Sequence, residues 1–264
     1  MRILVSLSLI LLLGACGAGS YGSSYHGYLT PEMAADVVML GDDQEPNLIL
    51  SSNLDRDVQS YREHNYVVIG ESAFNGLQES PKNAVKQAKE VRATHVLVSS
   101  AYTNTESRLD YDYQDVYRTV FVNRVRTING KTVNVSEAVT IRDTVTVPYM
   151  RQYDNFDQWA VYMVKSLQRH KLGILMRDLS PQDRENYKRN TGAVIDVVLS
   201  NSPAFLADIV QGDVLLAING NKIFNSADAA AKIQALDVDG TKVVLSMLKN
   251  GQEKEITLEF SDRQ

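Results

Sequence analysis

After Lys171 the chain is cut at short intervals by turn signals: Gly192, Asn201-Ser202-Pro203, Gly212-Asp213, Asn219-Gly220, Asp239-Gly240 and Asn250-Gly251. Punctuation this dense leaves no room for long helices or a wide parallel sheet, so short strands joined by tight turns are what fits. Leu172 to Met176 reads as a strand entered through Gly173, with further strands at Ala193–Leu199, Val214–Ile218, Val243–Met247 and Ile256–Phe260. Ser180-Pro181 opens a short polar helix to about Tyr187 and Ser202-Pro203 opens a second. Asn225 or Ser226 caps a longer one, to Leu236, that carries Ala229, Ala230, Ile233 and Leu236. Residues 171–264 are therefore expected to form a small, partly open β-barrel with two or three helices.

The preceding segment, 30–170, predicts a small α/β domain, making the whole chain α+β. Tyr66–Gly70 is a short apolar strand, and Ser80-Pro81 starts a helix with Ala84, Val85, Ala88 and Val91 on one face. His95–Val98 is a second buried strand, and the three elements suggest a right-handed βαβ unit. Alternating residues from Tyr117 to Arg124 and from Val133 to Val147 flank Asn129-Gly130, a two-residue hairpin signal. Phe156, Trp159, Ala160, Met163, Val164 and Leu167 recur at steps of three and one and predict an amphipathic helix, with Asp154 as its cap. Asn83 to Val98 (NAVKQAKEVRATHVLV) resembles a helix–strand unit of other envelope lipoproteins, with Arg92-Ala93 where those carry Gly-Ala; no function is carried over from it.

The first residues read as an address. Arg2 is followed by an apolar run from Ile3 to Leu13, then Gly14, Ala15 and Cys16. A positive start, a short apolar stretch and small residues at a cleavage point describe a secretory signal over 1–15, and the run is too short to span a bilayer. Leu13-Gly14-Ala15-Cys16 resembles the lipobox of bacterial lipoproteins. The resemblance implies a diacylglycerol on the Cys16 thiol and an N-acyl chain on the new amine, two lipid chains being enough for stable anchoring. Gly17 after the cysteine implies the outer membrane, facing the periplasm. Residues 16–29, rich in Gly, Ser and Tyr, read as a flexible tether.

The order Lys171-Leu172-Gly173-Ile174, Gly192-Ala193-Val194, Asn201-Ser202-Pro203-Ala204, Gly212-Asp213-Val214-Leu215-Leu216-Ala217-Ile218-Asn219-Gly220, Gly240-Thr241-Lys242-Val243 and Asn250-Gly251-Gln252 resembles a bacterial PDZ domain. It is most similar to those of the HtrA family of envelope serine proteases. The resemblance implies a carboxylate-binding loop at Leu172-Gly173-Ile174, where backbone N–H groups face the end of a peptide. Ile174, Leu175 and Met176 would form the edge that the peptide extends. Lys171 places a cation near the loop, and Ala229, Ala230 and Ile233 are candidates for the opposite wall. The partners implied are C-termini or extended segments of envelope proteins, in an adaptor, scaffold or quality-control role.

Chemistry other than binding finds little support. The formal charge of −5 and the lack of a Lys/Arg-rich run argue against nucleic acid. Cys16 is the only cysteine, so no internal disulfide forms. His26, His64, His95 and His170 are isolated, and neither a paired metal-ligand spacing nor a nucleotide-binding loop occurs, so no metal or other cofactor is expected. Asp110, Asp112 and Asp115 lack the glycine turn of a calcium loop and read as the solvated start of a strand. No enzyme is expected. The alternatives are a hydrolase with an atypical site in the first domain, pairing Ser72 or Ser99 with His95 or His64, and a lipoprotein that self-associates through its PDZ domain.

Overall fold

The computed structural model describes residues 19–237 and 242–260. Cys16, the expected signal segment and the turn expected at Asp239-Gly240 lie outside them. The described residues form an α+β fold with two sheets. In chain order the elements are α1 Gly19–Ser23, β1 Tyr25–Gly27, α2 Pro31–Ala35, β2 Val37–Val38, β3 Asn47–Leu50, α3 Leu54–Glu63, β4 Tyr66–Leu77, α4 Pro81–Glu90, β5 His95–Ile128 and β6 Lys131–Ser166. They continue with β7 Ile174–Asp178, α5 Pro181–Tyr187, β8 Ala193–Val198, α6 Pro203–Leu206, β9 Val214–Ile218, β10 Asn221–Lys222, α7 Ser226–Gln234, β11 Lys242–Lys249 and β12 Gln252–Glu259. The chain divides into two compact units. One holds the residues up to Phe74, Glu79–Ser100 and everything from Gln158 onward; the other holds Asn75–Gln78 and Ala101–Asp157.

In the first unit, the amino-terminal sheet runs β1-β4-β6-β5-β3, with β2 on β6. α4 starts where the sequence places it: the Ser80 hydroxyl accepts from Lys82 N–H, Pro81 occupies the first turn, and Ala84 and Ala88 are buried. The expected βαβ unit is split. β6 lies between β4 and β5, so the strands flanking α4 are not neighbours. β3 supplies a parallel partner for β5 instead, from Asn47↔His95 to Leu50↔Val98.

Two expectations are corrected here. The segment 156–167 is not a helix: its residues through Ser166 are the end of strand β6. Ala160, Tyr162 and Val164 pack into one core cluster, while Val161 and Met163 pack into another. A strand buried on both faces is apolar at every position, and its run contains helical spacings without being helical. Nor is residue 19 onward a tether. Tyr21 in α1 is buried, its ring 4.9 Å from Phe74 and edge-on to it. β1 pairs with β4, and Tyr25 Oη donates to the Ile69 carbonyl at 3.1 Å.

The carboxy-terminal sheet is antiparallel, in the order β12-β11-β9-β8-β7 with β10 on β9. Its core gathers Leu172, Ile174, Ile195, Leu215, Ile218, Ile223, Ala229, Leu245 and Met247. The helix caps follow the sequence signals. Ser180 and Asp183 close a reciprocal capping box on α5, and Asn225 Oδ1 accepts from Asp228 N–H at 2.8 Å on α7. α3 contacts this sheet through Arg62, paired with Asp196 at 2.5 Å, and Gln59, which donates to the Asp196 carbonyl at 3.1 Å.

The second unit is a ribbon of β5 and β6 with the end of β4 alongside, where Asn75 Nδ2 donates to Thr103 Oγ1 and Asp157 Oδ1. Its turn is the predicted one: Asn129 and Gly130 take φ of 50° and 78°, as a two-residue hairpin loop with both central residues left-handed requires. No hydrophobic side chain from Ala101 to Asp157 is buried.

Candidate peptide-binding groove

β7 ends its sheet. β8 covers one of its edges, and among the described residues no strand pairs with the other. Leu199 N–H donates to the Gly173 carbonyl at 2.8 Å, so Gly173 and Leu199 form a hydrogen-bonded pair in register with Ile174↔Val198. Antiparallel pairs alternate, and the next pair, Ile174 with Val198, turns its N–H and C=O groups away from its partner strand. The Ile174 backbone therefore faces the open edge.

The loop before β7 is shaped by Gly173. Its φ is +76°, and a Cβ there would lie 2.0 Å from Ser202 Cβ. Only glycine fits both the conformation and the space. Ser202 is fixed there as the cap of α6, its hydroxyl accepting from Phe205 N–H at 3.1 Å. Gly173 N–H is already bonded to the His170 carbonyl at 3.1 Å. The loop thus closes partly on itself, and Leu172 and Ile174 supply the N–H groups on either side of that bond.

α7 forms the other wall, tied at its start to β7 and at its end to the loop before β7. At the start of the helix, Asp178 Oδ1 accepts from Ser226 N–H at 2.8 Å and from Ser226 Oγ at 2.6 Å, which lowers the Asp178 pKa. At its end, Lys171 Nζ donates to the Gln234 and Leu236 carbonyls, both at 2.6 Å. An anion at the start of a helix and a cation at its end each suit the helix dipole. Between the clamps lies a cavity of about 600 Å³, a volume suited to a small ligand or a few residues of peptide.

Of the residues singled out from sequence, Lys171, Leu172, Ile174, Leu175, Met176, Ala230 and Ile233 line this cavity. Gly173 shapes the loop beside it. Ala229 does not belong to the wall: it is fully buried in the core, and the outward positions one turn apart are Ala230 and Gln234, with Ala227 and Ser226 nearer the start. Ile174 both lines the cavity and packs in the core. The Lys171 ammonium is held by helix carbonyls instead of pointing freely at the loop. The sequence reading missed Gln168, Arg169 and His170, which also line the cavity. They sit in the connection between β6 and β7, just before the segment from Lys171 that the sequence assigns to the groove.

The residues weighed for hydrolysis have other partners. Ser72 Oγ donates to the Tyr21 carbonyl at 2.6 Å and meets Tyr162 Oη at 3.2 Å. His95 Nδ1 lies 3.1 Å from Thr94 Oγ1, its ring beside Tyr61 and Tyr66, and burial lowers its pKa. His64 Nδ1 contacts the Ser60 carbonyl at 2.7 Å. None of these contacts is a Ser–His pair. Ser99 lines a separate cavity of about 420 Å³ with Trp159, Val58 and Asp55. Asp110 is engaged by Tyr149, Tyr153 and Arg151. Among the described residues no cluster of His, Cys, Asp or Glu could hold a metal, and no helix is long and apolar enough to cross a membrane.

An antiparallel sheet with one open edge strand, a glycine-shaped loop leading into it and a helix clamped alongside define a PDZ domain. Residues 171–260 match the family model described as PDZ domain, and the domain is homologous to those of HtrA and DegP proteases. The periplasmic serine endoprotease DegP of Escherichia coli K12 is 27% identical over 139 residues, which is 50% of this chain and 29% of DegP. A probable serine protease do-like protein of Buchnera aphidicola is 35% identical over 96 residues, 36% of this chain and 20% of the relative. The chain thus spans less than a third of either relative. Among solved structures, the HtrA-type protease AlgW with decapeptide aligns at TM-score 0.32 and 20% identity, covering 39% of this chain and 37% of that one. The HtrA3 PDZ domain bound to a phage-derived ligand (FGRWV) aligns at TM-score 0.29 and 19% identity, covering 33% of this chain and 81% of that one.

Proposed function

We propose that this protein is a non-enzymatic envelope lipoprotein. In this reading its PDZ domain captures C-termini or extended segments of partner proteins, while diacylglycerol and N-acyl chains on Cys16 hold it to the membrane, facing the periplasm. The observation that carries the reading is the unpaired edge of β7 beside a clamped helix, with a cavity between them. A peptide entering there gains backbone hydrogen bonds along the edge, and its terminal carboxylate meets N–H groups at the Leu172-Gly173-Ile174 loop. The apolar lining from Leu172, Ile174, Met176 and Ile233 favours an apolar side chain next to that carboxylate. The periplasmic location of the DegP relatives and the lipobox-like segment support an envelope setting.

Selection of the full chain against a displayed library of peptides with free C-termini tests this. Enrichment of sequences ending in an apolar residue, lost when Ala230 is replaced by Trp, is the expected result. A charged residue at position 174 is unsuitable for the test, because Ile174 is only 5% exposed and sits in the core. No enrichment from a folded protein overturns the reading.

A further inference from the structure

The ribbon of β5 and β6 is a large folded element with no core of its own. A lone two-stranded hairpin is at best marginal in water, and it exposes two unpaired edges. β3 covers β5 only opposite His95–Val98. Side-chain pairs assign the two faces. Asp115 meets Arg142 at 2.5 Å and Thr144 at 3.3 Å, which groups odd-numbered residues of β5 with even-numbered residues of β6. Arg118 meets Asp143 at 2.8 Å and Arg151 meets Asp110 at 3.6 Å, which groups the opposite parities on the other face.

The faces differ sharply. The face of Arg118 and Asp143 carries the ladder of ion pairs, including Arg126 with Glu137, and every half-buried residue between Ala101 and Tyr153 lies on it. That face also exposes apolar residues, Val116, Val122, Ile128, Val133, Val145 and Tyr149, but each is 51% exposed or less and stands among the ion pairs. The other presents Leu109, Tyr111, Tyr113, Tyr117, Phe121 and Val125, from 53% exposed at Tyr111 to 74% at Phe121. Opposite them β6 offers mostly small residues such as Thr132, Ser136, Ala138 and Thr140, with Arg142 and the exposed Met150 as the large ones. From Leu109 to Met150 the only charges on this face are Asp115 and Arg142, which pair with each other. Apart from that one pair the charges of this stretch lie on the other side, and contiguous exposed apolar surface of this kind marks an interface.

We propose that this aromatic face docks against the same face of a second copy of the chain. With Asp115 and Arg142 paired to each other, the face brings no unpaired charge against its own copy, which an isologous two-fold contact tolerates. They also give it no net positive charge to draw it to an anionic lipid surface. Area fits as well. A fully buried Tyr or Phe covers about 150–250 Å², so at these exposures the four rings offer on the order of 500 Å², before Leu109 and Val125, against about 800 Å² per partner in a stable interface. Pairing also covers apolar surface that no core of the ribbon itself buries.

Sedimentation equilibrium of the full chain in density-matched nonionic detergent tests the proposal, with Phe121→Lys on the aromatic face and Gln114→Lys on the charged face as its control. Both positions are exposed, so neither change removes core packing, and far-ultraviolet circular dichroism checks the fold. The expected result is a dimer whose dissociation constant rises about tenfold or more with Phe121→Lys and hardly changes with Gln114→Lys. A monomer at every attainable concentration overturns the proposal, and so does a dimer indifferent to Phe121→Lys. Flotation of a monomer on phosphatidylcholine–phosphatidylglycerol vesicles that depends on Phe121 also overturns it.

Discussion

Gly173 is where backbone geometry and the groove meet. With φ at +76° and Ser202 Cβ 2.0 Å from where a side chain would begin, Gly173→Ala forces the loop to shift. It is expected to lower stability by roughly 1–3 kcal/mol, measured by denaturant unfolding, and to weaken peptide binding. Lys171 separates two roles. If its ammonium serves the end of α7, as its bonds to the Gln234 and Leu236 carbonyls indicate, Lys171→Met changes affinity for a carboxylate peptide by less than about threefold; a loss of ten times or more would mean that it binds the ligand charge. Histidine titration gives a further check. Burial holds His95 and His170 below their ordinary value of 6.5. A lowered folded pKa means that the unfolded chain takes up protons first, so this contribution is complete above about pH 6.5 and is lost as pH falls from there towards the folded values. Urea midpoints are expected to drop from pH 7 to pH 5, and to drop less in His95→Phe. At this scale Gly173 was legible through the resemblance of Leu172-Gly173-Ile174 to the PDZ loop, and its φ of +76° shows why a glycine stands there. Choosing Ala230 over Ala229 was not: two adjacent alanines on a helix look alike until the helix has a neighbour on each side.

Elements were legible where a local rule acts alone. The Asn129-Gly130 hairpin, the Ser80 cap and the helix opened by Ser180-Pro181 need only nearby residues, and all three stand where expected. The end of β6 was misread because its apolar residues serve two cores at once, which only the tertiary fold reveals. Met163, fully buried in that strand, supplies the test. Met163→Ala is expected to cost about 2–5 kcal/mol in denaturant unfolding, whereas Leu167→Ala, beyond the strand and 60% exposed, should fall within about 0.5 kcal/mol. A helix with one buried stripe would have penalised both. Tyr21 and Tyr25 escaped notice for a related reason: a Gly/Ser/Tyr-rich segment reads as linker, and it is the sheet edge offered by β4 that turns it into structure. Arg92 adds a smaller case, holding a φ of +57° where glycine would be at ease, with its Nε bonded to the Leu40 carbonyl at 3.0 Å.

For the molecule as a whole, the PDZ domain was legible because its turns, caps and glycine loop occur in a fixed order across nearly its entire length. The amino-terminal sheet was less so, since its strand order inserts β6 between β4 and β5 and no pairwise signal in the sequence specifies that. The proposed function depends on the groove of β7 and α7 receiving the end of another chain. The most direct measurement is calorimetric titration of the full protein with one selected peptide, as the free acid and as its C-terminal amide, repeated on Ala230→Trp. Tight binding of the acid is expected, weaker by about tenfold or more for the amide, since a charged hydrogen bond contributes about 1.5–3 kcal/mol; Ala230→Trp should abolish both while leaving the fold intact. Equal affinity for acid and amide, or binding that Ala230→Trp leaves unchanged, would contradict it.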